Sequence, residues 1–87
     1  MTKFIIINRF RKDIKKLSAD GKKKVSKAFD LLEKNIDHPS LHVEKLTGTD
    51  NIWSLRLSIH FRMSFSKRNS ETIILRRIGT HQIYQKP

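Results

Sequence analysis

From Trp53 to Phe65 every second residue is apolar: Trp53, Leu55, Leu57, Ile59, Phe61, Met63 and Phe65. Ser54, Arg56, Ser58, Arg62 and Ser64 stand between them. Period two is the pleat of a β-strand with one buried face. A turn near Ile59-His60 folds the run into two antiparallel strands. The apolar residues keep odd parity on both sides of that turn. Holding them on one face requires an even pairing sum, and therefore an odd-length or bulged turn. Arg56 and Arg62 then share the opposite face, across from one another.

The rest of the chain is placed around this hairpin. Lys3 to Asn8 contains Phe-Ile-Ile-Ile and reads as a strand buried on both faces. Phe10, Ile14 and Leu17 are spaced four and three, which predicts a short amphipathic helix. Ser18-Ala19-Asp20-Gly21 supplies capping chemistry. Val25, Ala28, Phe29, Leu32 and Ile36 then mark a second helix, roughly residues 20–36, antiparallel to the first. Asp37-His38-Pro39-Ser40 ends it, because a residue before proline is pushed out of the helical region. His42 to Leu46 reads as a short strand and Thr47-Gly48-Thr49-Asp50 as a turn. After a turn at Lys67-Arg68-Asn69-Ser70, Thr72 to Ile78 is apolar on both parities and reads as a central strand. Gly79 to Tyr84 closes the chain. The expectation is one α+β domain over residues 1–87, with order β-α-α-β-β-β(-β). An antiparallel-rich sheet packs on an N-terminal helical hairpin. Its other face is basic and polar, with Arg56, Arg62 and Arg76.

Composition narrows the function. The 87 residues carry 19 Lys and Arg against 8 Asp and Glu, a formal charge of +11. Such a surplus points to a polyanionic partner, nucleic acid first and an acidic protein second. The absence of cysteine excludes disulfides, a zinc ribbon and a thiol nucleophile. No apolar run approaches the roughly 20 residues of a membrane span, so the expected location is cytoplasmic, with no membrane partner. A domain this small hides only about 60–65% of its unfolded surface, so no bulky cofactor is expected. There is no Gly-rich phosphate loop, and the histidines lack the spacing of a metal site.

Chemistry concentrates near the C-terminus. His81 follows a glycine after a strand, and Tyr84 lies three residues on. Histidine exchanges protons near neutral pH, and tyrosine stacks on a base or bonds a phosphate. The plainer reading is a surface histidine and a tail tyrosine packed back on the sheet. Arg56 and Arg62 can hold a phosphate and stabilise charge in phosphoryl transfer, or simply be solvated across a strand pair. Glu44, Lys45 and His60 are secondary candidates for an ionisable group. Lys45 and Arg76 are candidate nucleic-acid contacts. Lys22, Lys23 and Lys24 form either a long-range attractive field or a solvated helix face. Trp53 reads as core.

Several stretches resemble the RelE/ParE superfamily of toxins from bacterial type II toxin–antitoxin systems, on the branch that includes RelE, YafQ, YoeB and HigB. They are Lys45-Leu46-Thr47-Gly48, Trp53-Ser54-Leu55-Arg56, His60-Phe61-Arg62-Met63-Ser64-Phe65, and Leu75-Arg76-Arg77-Ile78-Gly79-Thr80-His81 with Tyr84. The similarity covers nearly the whole chain, and its most specific piece is the terminal Gly-Thr-His-x-x-Tyr.

The resemblance implies a metal-independent endoribonuclease that cuts mRNA, usually in the ribosomal A site. A 2′-hydroxyl attacks the adjacent phosphorus and leaves a 2′,3′-cyclic phosphate and a 5′-hydroxyl. His81 takes the family's acid or base position. Arg56 and Arg62 take the phosphate and transition-state positions, and Tyr84 takes that of the substrate-orienting aromatic. Glu44 or Lys45 lies where several members carry a second ionisable group. A cognate acidic antitoxin is implied as partner. The chain departs from its relatives in having no acid between Ile52 and Asn69, and Gln82 rather than an acid after the histidine. Two other readings stand beside this one: a ParE-like inhibitor of DNA gyrase, and a non-catalytic basic RNA-binding module.

Overall fold

A computed structural model describes residues 2–87. Strand β1 is Lys3–Ile6, helix α1 Asn8–Lys15 and helix α2 Ala19–Lys34; the strands β2 Glu44–Lys45, β3 Trp53–Arg56, β4 Arg62–Lys67 and β5 Thr72–Gly79 follow. Single 3₁₀ turns occupy Pro39–Leu41 and His81–Tyr84. The sheet runs β1-β5-β4-β3-β2. Among the described residues only β1 and β5 pair in parallel; the remaining pairs are antiparallel. The order and the α+β class match the expectation.

The helices bury the faces their spacing defines. Phe10 of α1 and Val25, Ala28 and Leu32 of α2 pack on Leu55, Met63, Phe65, Ile73, Leu75 and Ile78 of the sheet. Phe29 stacks with both Phe4 and Phe10, at 5.3 and 6.2 Å. Each fully buried large apolar side chain contributes about 1.5–3 kcal/mol. The Ser18 hydroxyl caps α2 by accepting the Gly21 N–H at 3.1 Å. Among the described residues no helix is long and apolar enough to cross a membrane.

The hairpin pairs as its parity requires. Arg56 stands opposite Arg62, Leu55 opposite Met63 and Trp53 opposite Phe65. Strands β3 and β4 are joined by Leu57–Phe61, an odd-length connection.

Several expectations are corrected. Ile59 and Phe61 are not on a buried face, being 77% and 40% exposed. The chain leaves the sheet after Arg56, so the alternation there no longer decides burial. Strand β1 is not buried on both faces. It forms one edge of the sheet, with Lys3 exposed and Phe4, Ile5 and Ile6 half-buried. The strand expected over His42–Leu46 shrinks to Glu44–Lys45, because His42 turns into the left-handed region at φ 48° after the 3₁₀ turn. Trp53 is half-buried at the rim of the core, with Lys67 Nζ 3.8 Å from its ring centroid.

Strand β5 is interior, as its apolar content suggests. Its double parity has a further cause. The β4–β5 register shifts between Ser64 and Phe65, which pair with Arg77 and Leu75. The extra residue, Arg76, is a bulge that moves the buried parity from Ile73 and Leu75 to Ile78.

Candidate active site

The sheet face away from the helices carries some of the side chains the sequence singled out, and register assigns them to rows. Side chains directly opposite in an antiparallel pair share a face. One row is Glu44, Ser54 and Ser64, and the next is Arg56, Arg62 and Gly79. Lys45 pairs with Trp53, whose neighbours belong to the helical face. Glu44 therefore joins the site face, and Lys45 does not.

The C-terminal turn folds onto this face. A Cβ at Gly79 would lie 2.6 Å from Cγ2 of Ile83, so only glycine lets Ile83 seat here, 4% exposed. The Thr80 hydroxyl caps the turn by accepting the Gln82 N–H at 3.4 Å. The Tyr84 hydroxyl donates to Ser54 Oγ at 3.3 Å. The His81 and Tyr84 rings meet edge to face at 5.3 Å. The tyrosine does pack back on the sheet, and exposed His81 lies two residues beyond Gly79, the β5 partner of Arg62. Ser54, Ser64 and Ser66 are buried, so this face is not uniformly open. The Ser64 hydroxyl has no hydrogen-bond partner among the described residues.

The two arginines differ. Arg56 is exposed. Arg62 Nη1 lies 2.7 Å from the Ser58 carbonyl and 3.2 and 3.3 Å from those of Phe61 and Ile59. It holds the β3–β4 tip, and its Nε and Nη2 are the nitrogens that can meet an anion.

Other candidates lie elsewhere. His60 is on the tip and lines a groove of about 580 Å³ on the helical side, with Lys24, Leu17 and Thr80. Lys22 and Lys23 are exposed on α2, and Lys24 pairs with Asp20 at 3.2 Å. Arg76 does not extend from the sheet as an open RNA contact: its Nε donates to the main-chain oxygen of Pro87 at 3.1 Å. No three His, Asp or Glu side chains converge among the described residues.

One buried residue escaped sequence reasoning. Asp13 accepts from Arg77 Nε and from the Ile78 N–H, each at 2.9 Å. Its signal was there, since Phe10, Asp13, Ile14 and Leu17 follow the i, i+3, i+4, i+7 pattern of a buried helix face.

Two helices on one face of a five-stranded mixed sheet, with a C-terminal turn on the other, define a recognisable class. No family model matches the sequence, and no curated protein matches it. Solved structures do. A metal-bound toxin from Helicobacter pylori superposes with a TM-score of 0.78 at 23% identity, over 94% of this chain and 97% of that one. RelE in the RelB–RelE antitoxin–toxin complex of Methanococcus jannaschii gives 0.75 at 21% identity, over 94% and 96%. The DinJ–YafQ complex of Escherichia coli gives 0.76 at 16% identity, over 94% and 96%. The chain has the RelE-like fold.

Proposed function

We propose that this protein is the toxin of a type II toxin–antitoxin system and cleaves mRNA without a metal ion. The observation that carries the reading is the assembly of Glu44, Arg56, Arg62, His81 and Tyr84 on one sheet face and the turn folded against it.

Cleavage of RNA by its own 2′-hydroxyl needs a base, an acid and cations. Glu44, paired with the Ser54 that anchors Tyr84, takes the 2′-proton in this reading. The 2′-oxygen then bonds to phosphorus as the bond to the 5′-oxygen breaks. His81 gives that leaving oxygen its proton. The products are a 2′,3′-cyclic phosphate and a 5′-hydroxyl. Arg56 and the outer edge of Arg62 hold the phosphate and offset the charge of the phosphorane. Tyr84 fixes His81 edge-on and offers its ring to a base. The charge of +11 suits a ribosome-bound substrate, because ribosomal RNA attracts such a protein at long range. It also suits an acidic antitoxin; the RelE and YafQ relatives are crystallised with RelB and DinJ.

The test is induction of wild type and His81→Ala in a bacterial host, with growth and mRNA 5′-ends read together. Arrest with new 5′-hydroxyl ends inside coding regions, both lost in the variant, is the expected result. Arrest by both proteins with intact mRNA sinks the nuclease and turns attention to a protein target such as gyrase.

A further inference from the structure

The described residues expose two large apolar side chains, Ile59 at 77% and Phe61 at 40%, and both stand on the β3–β4 tip. The tip borders a groove of about 580 Å³ that the turn between α1 and α2 closes on its other side. Leu17, Leu57, Phe61 and Ile78 give this groove an apolar lining. Its polar side chains are largely engaged. Asp13 is paired with Arg77, and Asp20 with Lys24. The Ser18, Ser58 and Thr80 hydroxyls accept the N–H groups of Gly21, Phe61 and Gln82. Lys16 lines the groove, is exposed, and has no acidic partner among the described residues. The groove thus presents apolar surface beside one uncompensated cation.

We infer that this groove docks an acidic, amphipathic segment of a partner protein. Its apolar side chains lie against Leu57, Phe61 and the adjoining Ile59, and a carboxylate pairs with Lys16. The inference rests on the toxin–antitoxin reading, in which the segment belongs to the antitoxin. Contiguous exposed apolar surface rimmed by polar residues marks an interaction site. A hydrophobic groove takes an amphipathic helix by its regularly spaced apolar anchors. Charge selects the occupant. RNA would bring phosphates to a groove with a single free lysine, whereas the opposite sheet face offers arginines. A second copy carries the same +11 and is repelled. An acidic chain is attracted by that charge and meets Lys16 on arrival. The position also gives docking a consequence. Ser58, whose carbonyl lies 2.7 Å from Arg62 Nη1, lines the groove, as do Gly79 and Thr80, which lead into the His81 turn. A segment seated there touches both supports of the candidate active site from the helical side.

In the experiment the chain is co-expressed with the acidic protein encoded by the reading frame beside its own gene, and the complex is purified. Hydrogen exchange in the complex is compared with that of the free chain. The expected result is slower exchange over residues 17–24 and 57–61. This readout needs no variant to fold. Affinity is then measured by calorimetry for surface variants, with folding checked by circular dichroism. Ile59→Asp and Phe61→Asp should each weaken binding about tenfold or more. Lys16→Glu should weaken it more than Lys23→Glu, the same charge change at an exposed position outside the groove. Exchange that slows only on the arginine face of the sheet, or variants that bind like wild type, overturn this inference and leave the toxin–antitoxin reading in place. Protection of the groove by a second copy, seen as concentration dependence in the free chain, overturns it as well, and so does protection by a 2′-O-methyl RNA oligonucleotide. Failure to form any complex with the neighbouring protein overturns the toxin–antitoxin reading itself, and this inference with it.

Discussion

Asp13 and Arg77, 64 residues apart in sequence, form a partly buried ion pair at 2.9 Å that finishes the sheet where β1 stops. Strand β1 pairs with β5 only as far as Ile6 and Leu75. The Ile78 N–H, beyond that point, goes to the Asp13 carboxylate instead of a strand. A helix side chain thus satisfies a backbone donor that the edge would leave unpaired.

Asp13→Ala should therefore be among the costlier single changes. It leaves the Ile78 N–H and the Arg77 guanidinium without their acceptor. With Asp13 10% and Arg77 27% exposed, the expected loss is about 3 kcal/mol. Asp13→Asn keeps an acceptor oxygen and should lose less. Urea denaturation of the two variants orders them. Equal midpoints for Asp13→Ala and wild type would remove the ion pair from the account of stability.

Gly79→Ala tests how the C-terminal turn is held. The added methyl meets Ile83 at 2.6 Å, and overpacking of this kind costs about 1–3 kcal/mol. The sheet should survive, because the clash is with the turn. Tyrosine fluorescence should change, and RNA cleavage should fall with His81 displaced. A variant with wild-type fluorescence and cleavage speaks against this coupling.

Arg56 and Arg62 should separate in their effects. Arg56 is exposed, so Arg56→Ala should leave the melting temperature in place and lower cleavage about 10²-fold or more. Arg62 also holds three tip carbonyls. Arg62→Ala should lower cleavage and stability together, by about 1–2 kcal/mol for the latter. Parallel melting curves and cleavage rates decide, and identical behaviour of the two variants contradicts the division of roles.

Glu44 and Lys45 are adjacent but face opposite sides of the sheet. Glu44→Gln should lower single-turnover cleavage about 10²-fold or more, as expected for loss of a general base. Lys45→Gln should change it little. The reverse pattern would place the second ionisable group on Lys45 and dismantle the register argument.

Much of this was legible in the chain. The odd parity from Trp53 to Phe65 put Arg56 and Arg62 on one face through the even register it demands, and the structure pairs them directly. The spacings of Phe10, Ile14 and Leu17 and of Val25, Ala28 and Leu32 marked the helical faces that meet the sheet. Ile59 and Phe61 misled, because alternation persists in sequence where the backbone has already left the pleat. Local pattern records which way a residue points only while the element continues.

The sequence alone determined the element order, the buried stripes and the basic surface, because these depend on periodicity and composition. The tertiary structure decided which of Glu44 and Lys45 shares a sheet face with Arg56, that Arg62 holds the tip carbonyls, and that Asp13 meets Arg77 and the Ile78 N–H. Each depends on side chains far apart in the chain meeting across strands, a β-bulge or a folded-back turn, and no local spacing encodes that geometry.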